Sequence, residues 1–153
     1  MSLYLVQHGR CLSKSEDPDQ SLSDWGIGQV ERIAGVAKNY NINVSSIEHS
    51  VKKRARQTAE IMAAALNPPG GVREKTGLKP MDDIEAVATR LDPGEDIMLV
   101  GHLPFMERLA CLLTTGKAEH TVIKFQNGGI VCLDRELEKE TWHIKWALMP
   151  EIG

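Results

Sequence analysis

Two histidines and one arginine stand out in this sequence for where they fall. His8 ends the apolar run that starts at Leu3, His102 follows the run Ile97 to Val100, and Arg54 lies just past Ser46 to Ser50. A neutral imidazole is a competent nucleophile once its second nitrogen is held by a hydrogen bond. Arginine offers a permanently charged, planar fork that suits phosphate oxygens. A second histidine, protonated, can offset charge on a transferring phosphoryl group, whose transition state needs mainly positioning and electrostatics. Gly9 and Gly101, next to the two histidines, leave space for an oxyanion to approach the backbone. Phosphoryl transfer through a phosphohistidine intermediate is the chemistry this set points to.

The elements that must position these residues are readable in the pattern. Leu3 to Gln7 reads as a buried strand, Ser46 to Ser50 as a second, and Ile97 to Val100 as the central strand of a parallel sheet. Between them, Val30, Ile33, Ala34 and Ala37 fall at helical spacing, as do Ala59, Met62, Ala63 and Leu66. The stretch Asn67 to Gly71 stops that second helix. A third helix is marked by Ile84, Val87, Ala88 and Leu91, ending at Asp92-Pro93-Gly94. Pro104 opens a fourth, with Phe105, Leu109, Leu112 and Leu113 on its inner face. Thr121 to Phe125 and Ile130 to Leu133 flank Gln126-Asn127-Gly128-Gly129, and Trp142, Ile144 and Trp146 alternate with His143 and Lys145. These are antiparallel strand signals. The expected fold is one three-layer α/β/α domain over residues 1–153, with a mainly parallel central sheet and antiparallel strands added near the C-terminus. In such sheets ligands bind at the carboxyl ends of the strands, where His8, Arg54 and His102 converge.

Composition removes other classes. The 153 residues suffice for a single core, and the formal charge of −3 argues against a domain built to grip nucleic acid. No apolar run approaches the length of a membrane span, and the N-terminal residues turn polar too soon for a signal peptide. Three widely spaced cysteines without a CxxC pair fit free thiols, and the expected location is the cytoplasm. His49, His120 and His143 have no partners at metal-ligand spacing and read as structural, so neither metal nor other cofactor is expected. Cys11 reads as an inert thiol, Trp25 as packing at a helix start, and Trp142 and Trp146 as two core residues sharing one strand face. Lys52, Lys53 and Arg56 read as a solvated helix entrance that can also attract an acidic partner.

The same residues resemble a known family. Leu3-Tyr4-Leu5-Val6-Gln7-His8-Gly9 resembles the RHG motif of the histidine phosphatase superfamily, and Ser50 to Ala59 resembles its second motif, a serine followed by RAxQTA. Gly101-His102-Leu103-Pro104 resembles the second histidine motif of the short SixA-like phosphohistidine phosphatase branch, and Pro18 to Gly26 also looks like that branch. The resemblance implies that His8 is the phosphorylated nucleophile, Arg54 a phosphate clamp and His102 the second pocket histidine. It also places Gln7, Gly9, Ser50 and Leu103 around the phosphate. The chain has no room for the large lid insertions of mutase-like relatives, which suits a phosphorylated side chain presented on another protein. The implied activity is removal of phosphate from phosphohistidine-bearing phosphotransfer or histidine kinase domains, in signal transduction.

One position departs from the motif. Gln7 stands where the superfamily has its first arginine and donates at best a neutral hydrogen bond, about half as strong as a charge-assisted one. Arg10 is expected to compensate by reaching back into the pocket. Asp82 and Asp83 are the candidates for a general acid, although both also suit the cap of the third helix. A phosphohistidine substrate needs little acid help, because its P–N bond is labile. Two alternatives accompany this reading: a phosphatase of small phosphate esters on the same fold, and a phosphohistidine-binding module weakened by Gln7.

Overall fold

The computed structural model describes residues 2–92, 94–136 and 138–152. Along the chain run β1 (Ser2–Gln7), α1 (Asp24–Asn39), β2 (Ser46–His49), α2 (Lys53–Leu66), β3 (Val72–Glu74), α3 (Ile84–Ala88), β4 (Ile97–Gly101), α4 (Phe105–Thr115), β5 (Ile130–Arg135) and β6 (Trp142–Leu148). The strands form one sheet in the order β3-β2-β4-β1-β5-β6. The four strands from β3 to β1 are mutually parallel, and β5 and β6 add antiparallel on the far side of β1.

Strand periodicity divides the core into two faces. Tyr4, Val6, Met98 and Val100 pack with Val30, Ile33, Ala59 and Met62 from α1 and α2. Leu3, Leu5 and Leu99 pack on the other side with Ile84, Val87, Phe105 and Leu109 from α3 and α4. This is the three-layer α/β/α arrangement expected. Continued one step beyond β1 and β4, the alternation puts His8 and His102 on the α1–α2 side. Helix α1 starts as its sequence dictates, with Ser23 Oγ accepting the Gly26 N–H and Asp24 in the first turn.

Four details differ from expectation. Thr121 to Phe125 is not a strand: β5 already has β1 on one edge and β6 on the other, so no ladder is left for it. Gln126 to Gly129 is therefore a turn feeding β5, with Gly128 at φ 80°. Helix α3 ends at Ala88, with Leu91 beyond it on the core; Pro93 of the expected stop lies outside the described residues. Trp25 is 64 % exposed rather than packed. Trp142 and Trp146 do not share a core face. A register shift opposite Cys132 and Leu133 sends Trp142 and Ile144 to the α3–α4 side, and Trp146 and Leu148 to the α1–α2 side. Trp146 there meets Tyr4, ring centroids 5.9 Å apart.

The loop from β1 to α1 folds against the helix it precedes. Arg10 O accepts from Ser23 N at 3.0 Å, and a Cβ on Gly26 would lie 2.1 Å from that same oxygen. Backbone, not a yielding side chain, fills the space. Gly26→Ala is therefore expected to destabilise the protein by about 1–3 kcal/mol, read as a lower urea midpoint at unchanged slope. A midpoint equal to that of the native protein would contradict this close approach.

Candidate active site

His8 sits where β1 leaves the sheet, and its backbone is held from four directions. Its N–H donates to Gly101 O at 2.9 Å, continuing the ladder with β4. Its carbonyl accepts from Asn127 Nδ2 at 3.0 Å. On either side, Gln7 O accepts from Gly128 N at 2.9 Å, and Gly9 N donates to Thr58 Oγ1 at 2.9 Å. Thr58, one turn beyond Arg54 on α2, passes its own hydroxyl proton to Arg54 O at 2.8 Å. Three separate segments, the end of β4, the Asn127–Gly128 turn and α2, thus fix one residue.

The ring is oriented as firmly. His8 Nδ1 lies 2.7 Å from Gly9 O. A carbonyl can only accept, so Nδ1 carries the proton and Nε2 is left with its lone pair. Burial is the main cause that lowers the His8 pKa to about 4; the Gly9 bond opposes it and the Arg54 charge adds to it. The ring is neutral near pH 7, as a nucleophile requires. His102 stands beside it, ring centroids 5.1 Å apart and 2 % exposed. Its pKa falls to about 3, through burial first and then the charges of His8, Arg54 and Lys52. In the free protein His102 is thus held neutral near pH 7, because a cation there would be buried close to Arg54 and Lys52. Its Nε2 lies 2.9 Å from Ser50 Oγ, and Ser50 is fully buried.

The structure brings together His8, His102 and Ser50, with the Arg54 charge near enough to act on both rings, and keeps other sequence candidates apart. Arg10 does not reach back: it is exposed and pairs with Glu151 at 3.7 Å. Gly9 and Gly101 do not clear space for an anion. A Cβ on Gly9 would meet Val30 Cγ2 at 2.7 Å, and one on Gly101 would meet Met106 Cε at 2.6 Å, so both serve close packing. Leu103 packs against the α3–α4 core. Gln7 keeps its place beside His8, with its Oε1 buried and unpartnered among the described residues. Asp82 accepts from Lys79 N, and Asp83 accepts from Glu85 N as the cap of α3. Both border a cleft of about 390 Å³ that includes Ser50 and Val51. The sequence reading assigned no role to Thr58 or Asn127. Thr58 could have been found from its i+4 spacing to Arg54; Asn127 looked like any turn residue.

A neutral, oriented imidazole thus lies close to a guanidinium at the carboxyl end of a parallel sheet, an arrangement with the chemistry that phosphoryl transfer needs. The fold agrees. The chain superposes on the protein histidine phosphatase SixA complexed with tungstate with a TM-score of 0.86, at 23 % identity, covering 98 % of this chain and 97 % of that one. It superposes on the alpha-ribazole phosphatase from Shigella flexneri at 0.80 and 15 % identity, covering 100 % and 98 %. An uncharacterized protein of Picosynechococcus sp. is 31 % identical over 142 residues, 87 % of this chain and 84 % of that protein. Residues 3–83, more than half the chain, match the histidine phosphatase superfamily, branch 1. The chain belongs to that superfamily.

Two outcomes follow from the geometry. Asn127→Ala removes a brace on the His8 carbonyl and is expected to lower kcat about tenfold with KM little changed, measured by steady-state phosphate release. Because both histidine pKa values lie below the ordinary 6.5, the folded form binds fewer protons than the unfolded one in acid. Their contribution to stability is complete above about pH 6.5 and is lost as pH falls through about 4 and then 3. Thermal midpoints are expected to drop between pH 7 and 4, and less steeply in His102→Gln; equal slopes would refute the assignment.

Proposed function

We propose that this chain is a phosphatase of phosphohistidine in proteins, acting through a covalent intermediate on His8. The observation that carries the reading is the His8 ring: Nδ1 committed to Gly9 O, Nε2 unprotonated, and the whole residue partly exposed while His102 behind it is buried. His8 Nε2 attacks phosphorus in line as the P–N bond to the substrate imidazole breaks, and that imidazole leaves with a proton from solvent. Water then attacks the phosphoryl group on His8, releasing phosphate and restoring the ring. Arg54 and His102 hold the phosphoryl oxygens, and Gln7 offers a neutral bond. No step needs a metal or another cofactor. The P–N bond explains why Asp82 and Asp83 can be spent on turn and cap, since a protonated imidazole leaves without a strong acid. The similarity in fold to SixA supports a partner that is a phosphohistidine-bearing phosphotransfer or kinase domain. The described residues contain no helix long and apolar enough to cross a membrane, and the reading places the chain in the cytoplasm.

Gln7 favours a second reading, a module that grips phosphohistidine without turning it over, because the pocket lacks one of the usual cations. Phosphate release from a phosphohistidine protein domain separates the two. The native chain is expected to release phosphate, His8→Ala to fall to background, Asp82→Asn and Asp83→Asn to stay within a few-fold, and Gln7→Arg to bind phosphate about tenfold more tightly. Retained release in His8→Ala would falsify the covalent reading. Tight binding of the phosphorylated domain with no release by the native chain would establish the module instead.

A further inference from the structure

His102 has an unmet valence. Among the described residues, its Nδ1 is one of the buried side-chain atoms with no hydrogen-bond partner, although the ring is only 2 % exposed. Its other nitrogen, Nε2, is engaged with Ser50 Oγ at 2.9 Å. A neutral imidazole has one N–H, and a hydroxyl can donate or accept, so the bond has two possible senses. If Nε2–H donates to Ser50, the orphaned Nδ1 presents a lone pair. If the Ser50 O–H donates to Nε2, Nδ1 carries the proton and stands ready as a donor.

The surroundings choose between them. Arg54 and Lys52 act on the ring electrostatically, and the His8 ring lies 5.1 Å away, so a second proton on His102 is disfavoured in the free protein. A neutral ring with its lone pair toward phosphoryl oxygens repels them; with Nδ1–H it binds them. Ser50 is built to decide the matter. Its N–H donates to Val100 O at 2.9 Å, its carbonyl accepts from His49 Nδ1 at 2.8 Å, and the residue is fully buried. Backbone bonds thus hold Ser50 in place, and its hydroxyl has His102 Nε2 as its one hydrogen-bond partner among the described residues.

We propose that Ser50 donates its hydroxyl proton to His102 Nε2, holding His102 in the Nδ1–H tautomer so that an uncharged ring donates a hydrogen bond to the phosphoryl group transferred to His8. The proposal rests on the phosphatase reading for the identity of that group. Ser50 is then a positioning residue acting through His102, rather than a phosphate contact of its own. His49, which the sequence suggests is merely structural, belongs to the same support as the donor to the Ser50 carbonyl. The buried Nδ1–H, unpaired in the free protein, is satisfied when a phosphoryl oxygen arrives, so its desolvation cost is already met before binding.

The test reads the tautomer directly. The long-range 15N–1H NMR pattern of the His102 ring, assigned by its loss in His102→Gln, is recorded on the free native protein at pH 7. Inorganic phosphate affinity is measured alongside for the native chain, Ser50→Ala and Ser50→Thr. The expected result is a native ring protonated at Nδ1, a mixed or reversed pattern in Ser50→Ala with phosphate binding weakened about tenfold, and recovery of both in Ser50→Thr. A native ring protonated at Nε2 overturns the proposal, whether or not Ser50→Ala folds. So does a Ser50→Ala protein that keeps both the native pattern and the native affinity. Failure of the phosphatase reading shows elsewhere, as a native chain that neither binds phosphate nor releases it from a phosphohistidine domain, while the free-protein tautomer still decides the role of Ser50.

Discussion

The parallel register of β1 on β4 is the constraint from which the site follows. Gln7 pairs with Gly101, and the bond from His8 N to Gly101 O extends that ladder by one residue. His8 and His102 therefore leave the sheet side by side and on the same face. A slip of one residue would turn one ring toward α1 and α2 and the other toward α3 and α4. Register is secured by burial, because Leu3, Leu5 and Leu99 fill one core while Tyr4, Val6, Met98 and Val100 fill the other. The geometry of the candidate site is thus set by the same apolar packing that stabilises the sheet.

That explains how much of the site could be read without coordinates. The runs Leu3 to Val6 and Ile97 to Val100 are continuous because their strands are covered on both sides, so their ends, and the histidines at those ends, were visible. Arg54 was visible for the same reason at one remove, as a residue in the first turn of the helix after β2. What sequence could not supply was direction. Arg10 is two residues from His8, yet its side chain pairs with Glu151 near the other end of the chain. Proximity along the chain carried no information about proximity in space. Asn127 shows the converse, being distant in sequence and bonded to His8 O.

The fold was legible to a similar depth. Long periodic segments gave α1, α2 and α4, and the antiparallel addition at the end was right in kind. The error at Thr121 to Phe125 came from assuming that a strand-like stretch beside an Asn-Gly turn has an edge to join. Edge availability is a property of the whole sheet. Strand β3 went unseen because Val72-Arg73-Glu74 is short and largely exposed, so it has no apolar signature. Its Arg73 and the adjacent Lys75 instead matter to β2, where buried Glu48 is met by both at 2.5 Å. The change of face along β6 was equally hidden, since Trp142, Ile144 and Trp146 alternate without showing where the register shifts.

Electrostatics give the site a low formal charge for one proposed to handle phosphate. Burial and neighbouring cations hold both imidazoles neutral, Gln7 contributes none, and Arg10 is drawn away, which leaves Arg54 with Lys52 nearby. Such a pocket stabilises a dianionic group less than one with paired guanidiniums, and for an alkyl phosphate that deficit would fall on the rate. For a phosphoramidate the balance differs. The leaving imidazole is itself able to depart as a neutral or protonated ring, so the transition state asks the protein for orientation more than for charge. Orientation is what this chain provides: four hydrogen bonds on the backbone around His8, one on its ring, and a buried serine on the ring beside it. On the proposed phosphohistidine reading, Gln7 in place of an arginine and the lack of a committed acid among the described residues both follow from one property of that substrate.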